Sequence, residues 1–265
     1  MESNIQIEKH DNIKYVWTIT MNNPGKKNAL TLDILDQMSD FLSDQKIRKT
    51  ARTIVIRGKG EEAFSAGYDI SKIQGKNTQS RSEASSAVLY RALNSIKNFP
   101  SPVISMINGF CIGAGLHLAI STDIRIASDD SKIGITPVKL GLLYHPDGIL
   151  DFYNLIGPGN TKELFFTGSL YSAGEAKEMG LINRTVPSSD LKETVYSIAK
   201  QISFNAPLAI QGTKYCVNKF SKSVCIKPEV MDECIELREK IFNSRDIKEG
   251  KQAFAEKRKP VFKGE

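Results

Sequence analysis

Residues 107–117 read INGFCIGAGLH and carry the chain from a β-branched strand through small residues into an apolar helix. The first N–H groups of a helix have no acceptor within the helix, and the helix dipole makes that end attractive to negative charge. Ala114 stands at this start, so we expect its backbone N–H to be available as a donor. The alternative is a tight strand-to-helix turn with no further role.

A second segment of this kind lies upstream, where residues 63–70 read AFSAGYDI. It follows a predicted strand, and Gly67 permits a turn that a side chain would obstruct. We expect such a turn to make the N–H of Tyr68 available as a donor. If this loop faces the helix start at Ala114, two N–H groups converge on one point, as they do in enzymes that stabilise an oxyanion. Each segment alone is also compatible with an ordinary turn.

Short β-branched runs alternate with amphipathic stretches on both sides of these two segments. This alternation predicts an α/β fold of stacked ββα units with a mostly parallel sheet. The predicted strands are Tyr15–Met21, Thr53–Arg57, Val103–Ile107, Ile124–Ala127 and Lys132–Ile135, and the predicted helices are Thr31–Gln45, Ser82–Asn98 and Gly113–Ser121.

Helical periodicity dominates after about Leu150, and no Pro/Ser-rich linker marks a separable domain. We therefore expect one domain, with residues 1–200 as the α/β core and residues 201–265 as a helical region that serves as a lid or an oligomer interface. The predicted helices are Thr161–Phe166, Ser172–Met179, Asp190–Phe204, Pro207–Phe220 and Pro228–Ser244, and Leu181–Val186 is a predicted strand.

The composition is that of a globular protein of 265 residues, with 40% apolar and 25% charged residues. The net charge of +6 could attract nucleic acid or a polyphosphate, but the lysines and arginines are dispersed and no RNA-binding signature accompanies them. The cysteines show no CxxC spacing and the chain has 3 histidines, so we expect no metal site. Because the amino-terminal residues lack the features of a secretory signal and no apolar run is long enough to span a bilayer, we expect a cytoplasmic location.

Four stretches together resemble the crotonase family of enoyl-CoA hydratases and isomerases. They are NNPGKKNAL at 22–30, AFSAGYDI at 63–70, INGFCIGAGLHLAIS at 107–121 and AFAEKRKPVF at 253–262. The resemblance implies a crotonase-like spiral of ββα units with a helical C-terminal region, and homotrimers that often pair into hexamers. It also implies an acyl-CoA substrate, no cofactor beyond the coenzyme A moiety, and oxyanion donors at Tyr68 and Ala114.

The same resemblance implies coenzyme A contacts near the first motif and near the end of the chain, the latter often reaching a neighbouring subunit. For the lysines the alternative is an ordinary solvated charge. The implied coenzyme A contacts are Lys26, Lys27, Ala66, Asp69, Ile70, Lys72, Phe254 and Lys257.

The two glutamates that handle water in enoyl-CoA hydratases are missing, since the matching positions hold His117 and Pro137. Residues 136–144, TPVKLGLLY, are similar instead to methylmalonyl-CoA decarboxylases. Loss of carbon dioxide from a malonyl-type thioester generates the enolate without a base, which suits such a site. The resemblance implies that Tyr144 contacts the departing carboxylate, while Tyr68 stands where the decarboxylase has histidine. Tyr144 could equally be a packed aromatic residue.

Two histidines support a rival prediction of hydratase or isomerase chemistry. His117 follows Ala114 by one helical turn, although a buried histidine in an apolar helix is often structural. His145 matches the position of an isomerase aspartate, and Asp147 could orient its ring; the alternative for HPDG at 145–148 is a polar turn. A noncatalytic acyl-CoA-binding relative would also lack the glutamates.

Overall fold

The computed structural model describes residues 3–44, 50–69, 78–221, 228–261 and 263. Its strands, in chain order, are β1 (Asn4–Lys9), β2 (Val16–Asn22), β3 (Thr53–Gly58), β4 (Ala63–Ser65), β5 (Val103–Ile107), β6 (Phe110–Ile112), β7 (Ile124–Ser128), β8 (Lys132–Gly134), β9 (Leu170–Ser172) and β10 (Arg184–Val186). Its α-helices are α1 (Leu32–Ser43), α2 (Thr78–Lys97), α3 (Ala114–Ile120), α4 (Pro146–Thr167), α5 (Ala173–Glu178), α6 (Leu191–Phe204), α7 (Pro207–Ser221), α8 (Pro228–Phe242) and α9 (Arg245–Ala255). Short 3₁₀ helices span Pro24–Lys26, Pro137–Leu140 and Ser188–Asp190.

The chain divides into two compact units. The first consists of Met1–Ile133 and Tyr171–Lys219, and the second of Gly134–Leu170 and Phe220–Glu265. This division differs from the predicted boundary at residue 200. That boundary concerned the region used for assembly, and it stays a prediction.

The first unit contains a six-stranded sheet with the order β1-β2-β3-β5-β7-β10. β1 is antiparallel to β2, and every other neighbouring pair in this sheet is parallel. The carboxyl ends of parallel strands lie at one edge of a sheet, where ligands usually bind in α/β folds. β3 and β5 are neighbours, so the segments that follow them, 59–69 and 108–117, leave the sheet side by side.

A second sheet has the order β4-β6-β8-β9, and the boundary between the units runs through β8 and β9. β4 and β6 are parallel, with Ala63 opposite Phe110 and Ser65 opposite Cys111. These two short strands belong to the two glycine-containing segments, so their pairing ties the segments together directly.

The core of the first unit lies between the six-stranded sheet and α6, because the apolar side chains of both face each other there. Leu191, Val195 and Ala199 of α6 are buried against the sheet. Their partners in the strands are Val16, Val55, Ile104, Met106 and Ile126.

In the second unit, α9 packs closely on the 3₁₀ helix Pro137–Leu140. A Cβ added at Gly250 would lie 2.5 Å from the carbonyl oxygen of Leu140, and one added at Gly141 would lie 3.0 Å from that of Asp246. Within the ranges that the structure describes, no helix is long and apolar enough to cross a membrane.

The predicted α/β class with a mostly parallel sheet is confirmed, and most predicted elements are present. β1 was not predicted, and the predicted helix Thr161–Phe166 is only the last part of α4. Further differences lie near position 145 and position 244. The predicted polar turn at 145–148 is instead the start of α4, with His145 as its N-cap and Pro146 in its first turn. The predicted helix Pro228–Ser244 ends at Phe242, because Ser244 caps a further helix, α9, through a hydrogen bond from the N–H of Ile247 to its Oγ at 3.3 Å.

Candidate functional site

The helix start at Ala114 forms as the sequence predicted. β6 ends at Ile112, and Gly113 then turns the chain into α3 with φ +57° and ψ −122°. Glycine tolerates such positive φ values at little cost. In the described part of the chain no acceptor is assigned to the N–H of Ala114, and this residue is only 7% exposed. The start of α3 therefore presents a backbone donor from a largely buried position.

The segment around Tyr68 is held by Leu30. The N–H of Leu30 donates to the oxygen of Gly67 at 2.7 Å, and the N–H of Asp69 donates to the oxygen of Leu30 at 3.3 Å. These bonds form an isolated parallel bridge between Leu30 and Tyr68. In a parallel bridge of this type the bonding groups belong to the neighbours of the paired residue. The N–H of Tyr68 therefore points to the side away from Leu30.

Gly67 brings the two segments close together. A Cβ added there would lie 2.8 Å from the oxygen of Ile112 and 3.4 Å from the nitrogen of Ala114. With a Cα–Cβ bond of about 1.5 Å, the Cα of Gly67 lies within about 5 Å of the Ala114 nitrogen. The peptide that carries the N–H of Tyr68 starts at this Cα. Both candidate donors thus occupy one region of the first unit, and their sharing of an acceptor stays a prediction.

Three further residues build this region, and the sequence reasoning missed them. A Cβ at Gly115 would lie 2.7 Å from the Cβ of Ser65, so α3 sits directly on β4. The Oγ of Ser65 accepts the N–H of Gly67 at 3.2 Å. Asn28, 1% exposed and with φ +54°, donates from Nδ2 to the oxygen of Ala63 at 2.7 Å. In NNPGKKNAL, Asn28 stands between two lysines and two apolar residues. This polar amide next to an apolar stretch was the sequence signal that could have singled it out.

His117 lies one turn after Ala114 in α3 and is fully buried. Its ring meets that of Tyr90 in α2 in an edge-type contact, with ring centroids 5.8 Å apart and an interplanar angle of 76°. Tyr90 itself is half-buried. It is a further residue that the sequence reasoning did not single out, since 27 positions separate it from His117.

The lysines of the first loop are paired rather than simply solvated. The Nζ of Lys26 lies 2.8 Å from Oδ2 of Asp69, and the Nζ of Lys27 lies 2.7 Å from Oε1 of Glu62. Lys27 also places its ammonium 4.6 Å from the centroid of the Phe110 ring. The N–H of Ala66 donates to the oxygen of Lys27 at 2.9 Å. Four of the predicted coenzyme A contacts, Lys26, Lys27, Ala66 and Asp69, therefore form one connected loop structure.

Ile70 and Lys72 lie outside the described residues, so the structure says nothing about these two predicted contacts.

Tyr144 and His145 belong to the second unit. The Tyr144 ring packs in an aromatic cluster, 6.5 Å from the Phe152 centroid and 5.5 Å from that of Phe165. The Nδ1 of His145 accepts the N–H of Asp147 at 3.3 Å and lies 3.6 Å from its Oδ2. An imidazole nitrogen that accepts a hydrogen bond carries no proton, so this geometry places the proton of a neutral ring on Nε2.

Phe254 and Lys257 lie at the end of α9, where the chain folds back. Phe254 is 61% exposed and Lys257 has φ +53°. Arg258 binds Glu249 through two hydrogen bonds of 2.6 and 3.0 Å, and the N–H of Val261 donates to Glu249 at 2.9 Å. The bonds from Arg258, followed by the one from Val261, lower the pKa of Glu249 to about 2. The hydrogen bonds from Arg258 and Val261 to Glu249 fix the backbone beside Lys257.

Metal or thiol chemistry has no support among the described residues. They contain no group of three histidine, cysteine, aspartate or glutamate residues that could hold a metal ion. Cys111 in β6 is fully buried, and this burial raises the pKa of its thiol, which leaves it as an unreactive core residue.

Comparisons with known proteins agree along nearly the whole chain. A family profile for enoyl-CoA hydratase/isomerase matches residues 11–265. The chain is 33% identical over 262 residues to the methylmalonyl-CoA decarboxylase of Escherichia coli K12, with 95% of this chain and 98% of the relative covered. A solved methylmalonyl-CoA decarboxylase in complex with 2-nitronate-propionyl-CoA is 31% identical with a TM-score of 0.89, covering 98% of both chains. An enoyl-CoA hydratase structure from Bacillus anthracis is 31% identical with a TM-score of 0.77, covering 99% of this chain and 100% of that chain. The profile match, the identity and the shared fold together make this chain a member of the enoyl-CoA hydratase/isomerase, or crotonase, family.

Proposed function

We propose that this protein stabilises a thioester enolate with the backbone N–H groups of Tyr68 and Ala114, and that it forms this enolate by decarboxylating a methylmalonyl-CoA-type substrate. The observation that carries the proposal is the approach of Gly67 to Ala114, since the Cβ position of Gly67 is 3.4 Å from the Ala114 nitrogen. Two backbone donors in a largely buried region are what a developing oxyanion requires.

Decarboxylation is favoured over hydration by the residues at the two family positions that hold the water-activating glutamates. Hydration needs groups that activate water, and the family positions for its two glutamates hold His117 and Pro137. Decarboxylation needs no base, because the electron pair of the breaking C–C bond flows directly into the thioester. At equal sequence identity, the methylmalonyl-CoA decarboxylase structure also gives a higher TM-score than the hydratase structure.

In this proposal the side chains orient the substrate, and none of them has to remove a proton from the reacting carbon. Tyr68 lines the site where the decarboxylase relative has histidine. That Tyr144 contacts the carboxylate that leaves stays a prediction from the resemblance. The connected loop of Lys26, Lys27, Ala66 and Asp69 binds coenzyme A, and the chain's excess of +6 favours its phosphates. Phe254 and Lys257 reach the nucleotide of a neighbouring subunit. No cofactor beyond the coenzyme A moiety is required.

A second candidate function is hydratase or isomerase chemistry with a histidine base. The contact of His145 with Asp147 favours it, since it holds the imidazole in a fixed direction. Because Nδ1 accepts the Asp147 N–H, Nε2 carries the proton of the neutral ring, and the ring can act as a base only after this hydrogen bond is released. A noncatalytic acyl-CoA-binding protein remains as a third hypothesis and predicts binding without turnover.

The test offers methylmalonyl-CoA and crotonyl-CoA to the purified protein in parallel. We expect carbon dioxide release from the first and no hydration of the second. Hydration of crotonyl-CoA without carbon dioxide release would overturn the proposal in favour of the histidine-base alternative. Tight binding of both with no turnover would favour the noncatalytic hypothesis.

The donor at Ala114 has its own test, because proline is favoured in the first turn of a helix, where its missing N–H breaks no helical bond. Ala114→Pro should keep the fold and remove one donor, lowering kcat by about 10²–10³-fold. Ala114→Gly keeps the N–H and is the matched control. Equal loss in both variants, with unchanged circular dichroism, would show that this N–H is not used.

A further inference from the structure

His117 lies beside the candidate donor Ala114 in α3. It follows Ala114 by three residues in α3, so the two lie on the same face of the helix. Side chains in a helix lean toward its N-terminus and cover the preceding turn. The imidazole therefore extends over the turn that presents the Ala114 N–H. Its backbone is fixed there by the bond from its N–H to the oxygen of Gly113 at 3.0 Å.

Tyr90 determines where this ring sits. It comes from α2, whose neighbouring residues Leu89, Ala92 and Leu93 are buried and anchor the helix. The Tyr90 ring meets the His117 ring at 5.8 Å and 76°. Edge-type contacts have a preferred geometry, so they orient both rings rather than merely filling space. Because Tyr90 is half-buried while His117 is fully buried, Tyr90 also helps to cover the imidazole.

We propose that His117 donates the proton that completes the decarboxylation, and that Tyr90 is the positioning residue that aims it. This inference rests on the proposed function. The bond from the substrate carboxylate carbon to the α-carbon breaks, carbon dioxide leaves, and the electron pair becomes the thioester enolate. The α-carbon then takes a proton from the imidazolium of His117, which gives the acyl-CoA product and neutral imidazole. Solvent returns a proton to the ring.

Charge supports this assignment over the nearby carboxylates. The substrate brings a negative carboxylate into a buried region, and a nearby anion favours the protonated form of an imidazole. When carbon dioxide leaves, the negative charge of the carboxylate passes to the enolate. Proton transfer from the imidazolium to the enolate then neutralises both charges. Asp69 and Glu62, the carboxylates of the neighbouring loop, are instead engaged by Lys26 and Lys27.

The experiment follows the stereochemistry of protonation. Methylmalonyl-CoA is decarboxylated in heavy water, and the configuration of the deuterated propionyl group is read by NMR of a chiral ester. A fixed donor delivers deuterium to one face, so the wild type should give one configuration. His117→Gln should release carbon dioxide more slowly and give both configurations in near-equal amounts, because solvent then protonates the enolate from either side.

Tyr90 is tested by a matched pair. Tyr90→Leu removes the ring and should lose much of the configurational preference, whereas Tyr90→Phe keeps the ring edge and should retain it. A single configuration from both His117→Gln and Tyr90→Leu would overturn the inference while leaving the proposed function standing. No carbon dioxide release from the wild type would refute the proposed function and this inference with it. Because His117 is buried, circular dichroism checks each variant, and the Tyr90 pair still decides if His117→Gln does not fold.

Discussion

Gly67 shows how one missing side chain positions the candidate site. Its φ of +95° and its distance to Ile112 both exclude a Cβ, since the added atom would be 2.8 Å from the Ile112 oxygen. Gly115 makes the same kind of approach to Ser65 from the opposite segment. The two segments can meet because each offers a hydrogen atom at the point of contact. The donors at Tyr68 and Ala114 depend on this approach.

The substitution Gly67→Ala should therefore reduce activity strongly, because the added Cβ pushes the two segments apart. The loss of activity should be far larger than backbone strain alone would cause. We expect a loss in kcat/KM of about 10²-fold or more, as for the loss of an oxyanion donor. Gly60→Ala is the matched control, because Gly60 also has positive φ, +77°, but nothing lies within 4 Å of its Cβ position. Both variants should lose about 1 kcal/mol in urea unfolding from strain. Equal turnover in the two variants would contradict a role for the close approach.

At this scale the sequence predicts residues whose role follows from local chain geometry and misses those that depend on distant neighbours. Tyr68 and Ala114 could be singled out because turns and helix starts are encoded within a few residues. The partner of Asn28 could not be predicted, because Ala63 is 35 positions away, and the contact between Tyr90 and His117 was missed for the same reason. Spacing carries no information on which elements meet.

A polar side chain of the helix α7 binds other parts of the first unit. Lys214 is only 8% exposed, and its Nζ donates to Oδ2 of Asp123 at 2.7 Å and to the oxygen of Ser101 at 3.2 Å. The same Asp123 oxygen accepts the N–H of Val103 at 2.7 Å. An ion pair with a largely buried ammonium thus holds the helix near the start of β5.

Breaking this pair from its two sides should give unequal losses of stability. Asp123→Asn leaves the buried ammonium without a counter-charge and should cost about 3 kcal/mol, whereas Lys214→Met leaves no unpaired cation and should cost less. Urea unfolding measures both. Equal losses would show that the ammonium is better solvated than its burial indicates.

The pH dependence of Asp123→Asn provides a second measurement. Burial lowers the pKa of Lys214 below 10.5, and Asp123 opposes this effect. A lysine with a lowered folded pKa binds fewer protons than the unfolded chain, so stability rises with pH through the window that ends near 10.5. Removing Asp123 lowers the pKa of Lys214 further and should widen this pH window. The stability of Asp123→Asn should therefore rise with pH, whereas that of Lys214→Met should not.

Element boundaries were predicted well where the pattern is long and uniform. The strand Val103–Ile107 was predicted to the residue. The first part of α4 was missed, because Gly157 breaks the helix with φ +73° and ψ 173° and Pro158 follows it. β6, with three residues, is too short for a period-two pattern to be read.

At the scale of the whole molecule, α7 exposes apolar side chains. Leu208 is 81% exposed and Tyr215 is 63% exposed. They are seven positions apart in the sequence, which puts them on the same face of the helix. Phe204 in α6 and Phe220 near the end of α7 are also exposed, at 69% and 71%. Exposed apolar side chains of this size are typical of surfaces that other chains cover. We expect them to be covered in the homotrimer or homohexamer that the sequence predicted.

Sedimentation velocity tests this expectation. The wild type should sediment as a trimer or hexamer, and Leu208→Glu and Tyr215→Glu should shift it toward monomer, because a buried carboxylate at an apolar interface is costly. Gln201→Glu, at an exposed position of α6, is the control and should leave assembly unchanged. A wild type that sediments as a monomer would refute the predicted oligomer.

Both candidate donors are main-chain atoms, and this affects how the protein can change over generations. A codon change at position 68 or 114 alters a side chain but leaves the amide, unless the new residue is proline. The side chains at positions 68 and 117 can therefore change with the reaction while the two candidate donors are kept. Retention of the two donors through evolution depends on the backbone conformation. It therefore depends on the glycines that permit this conformation.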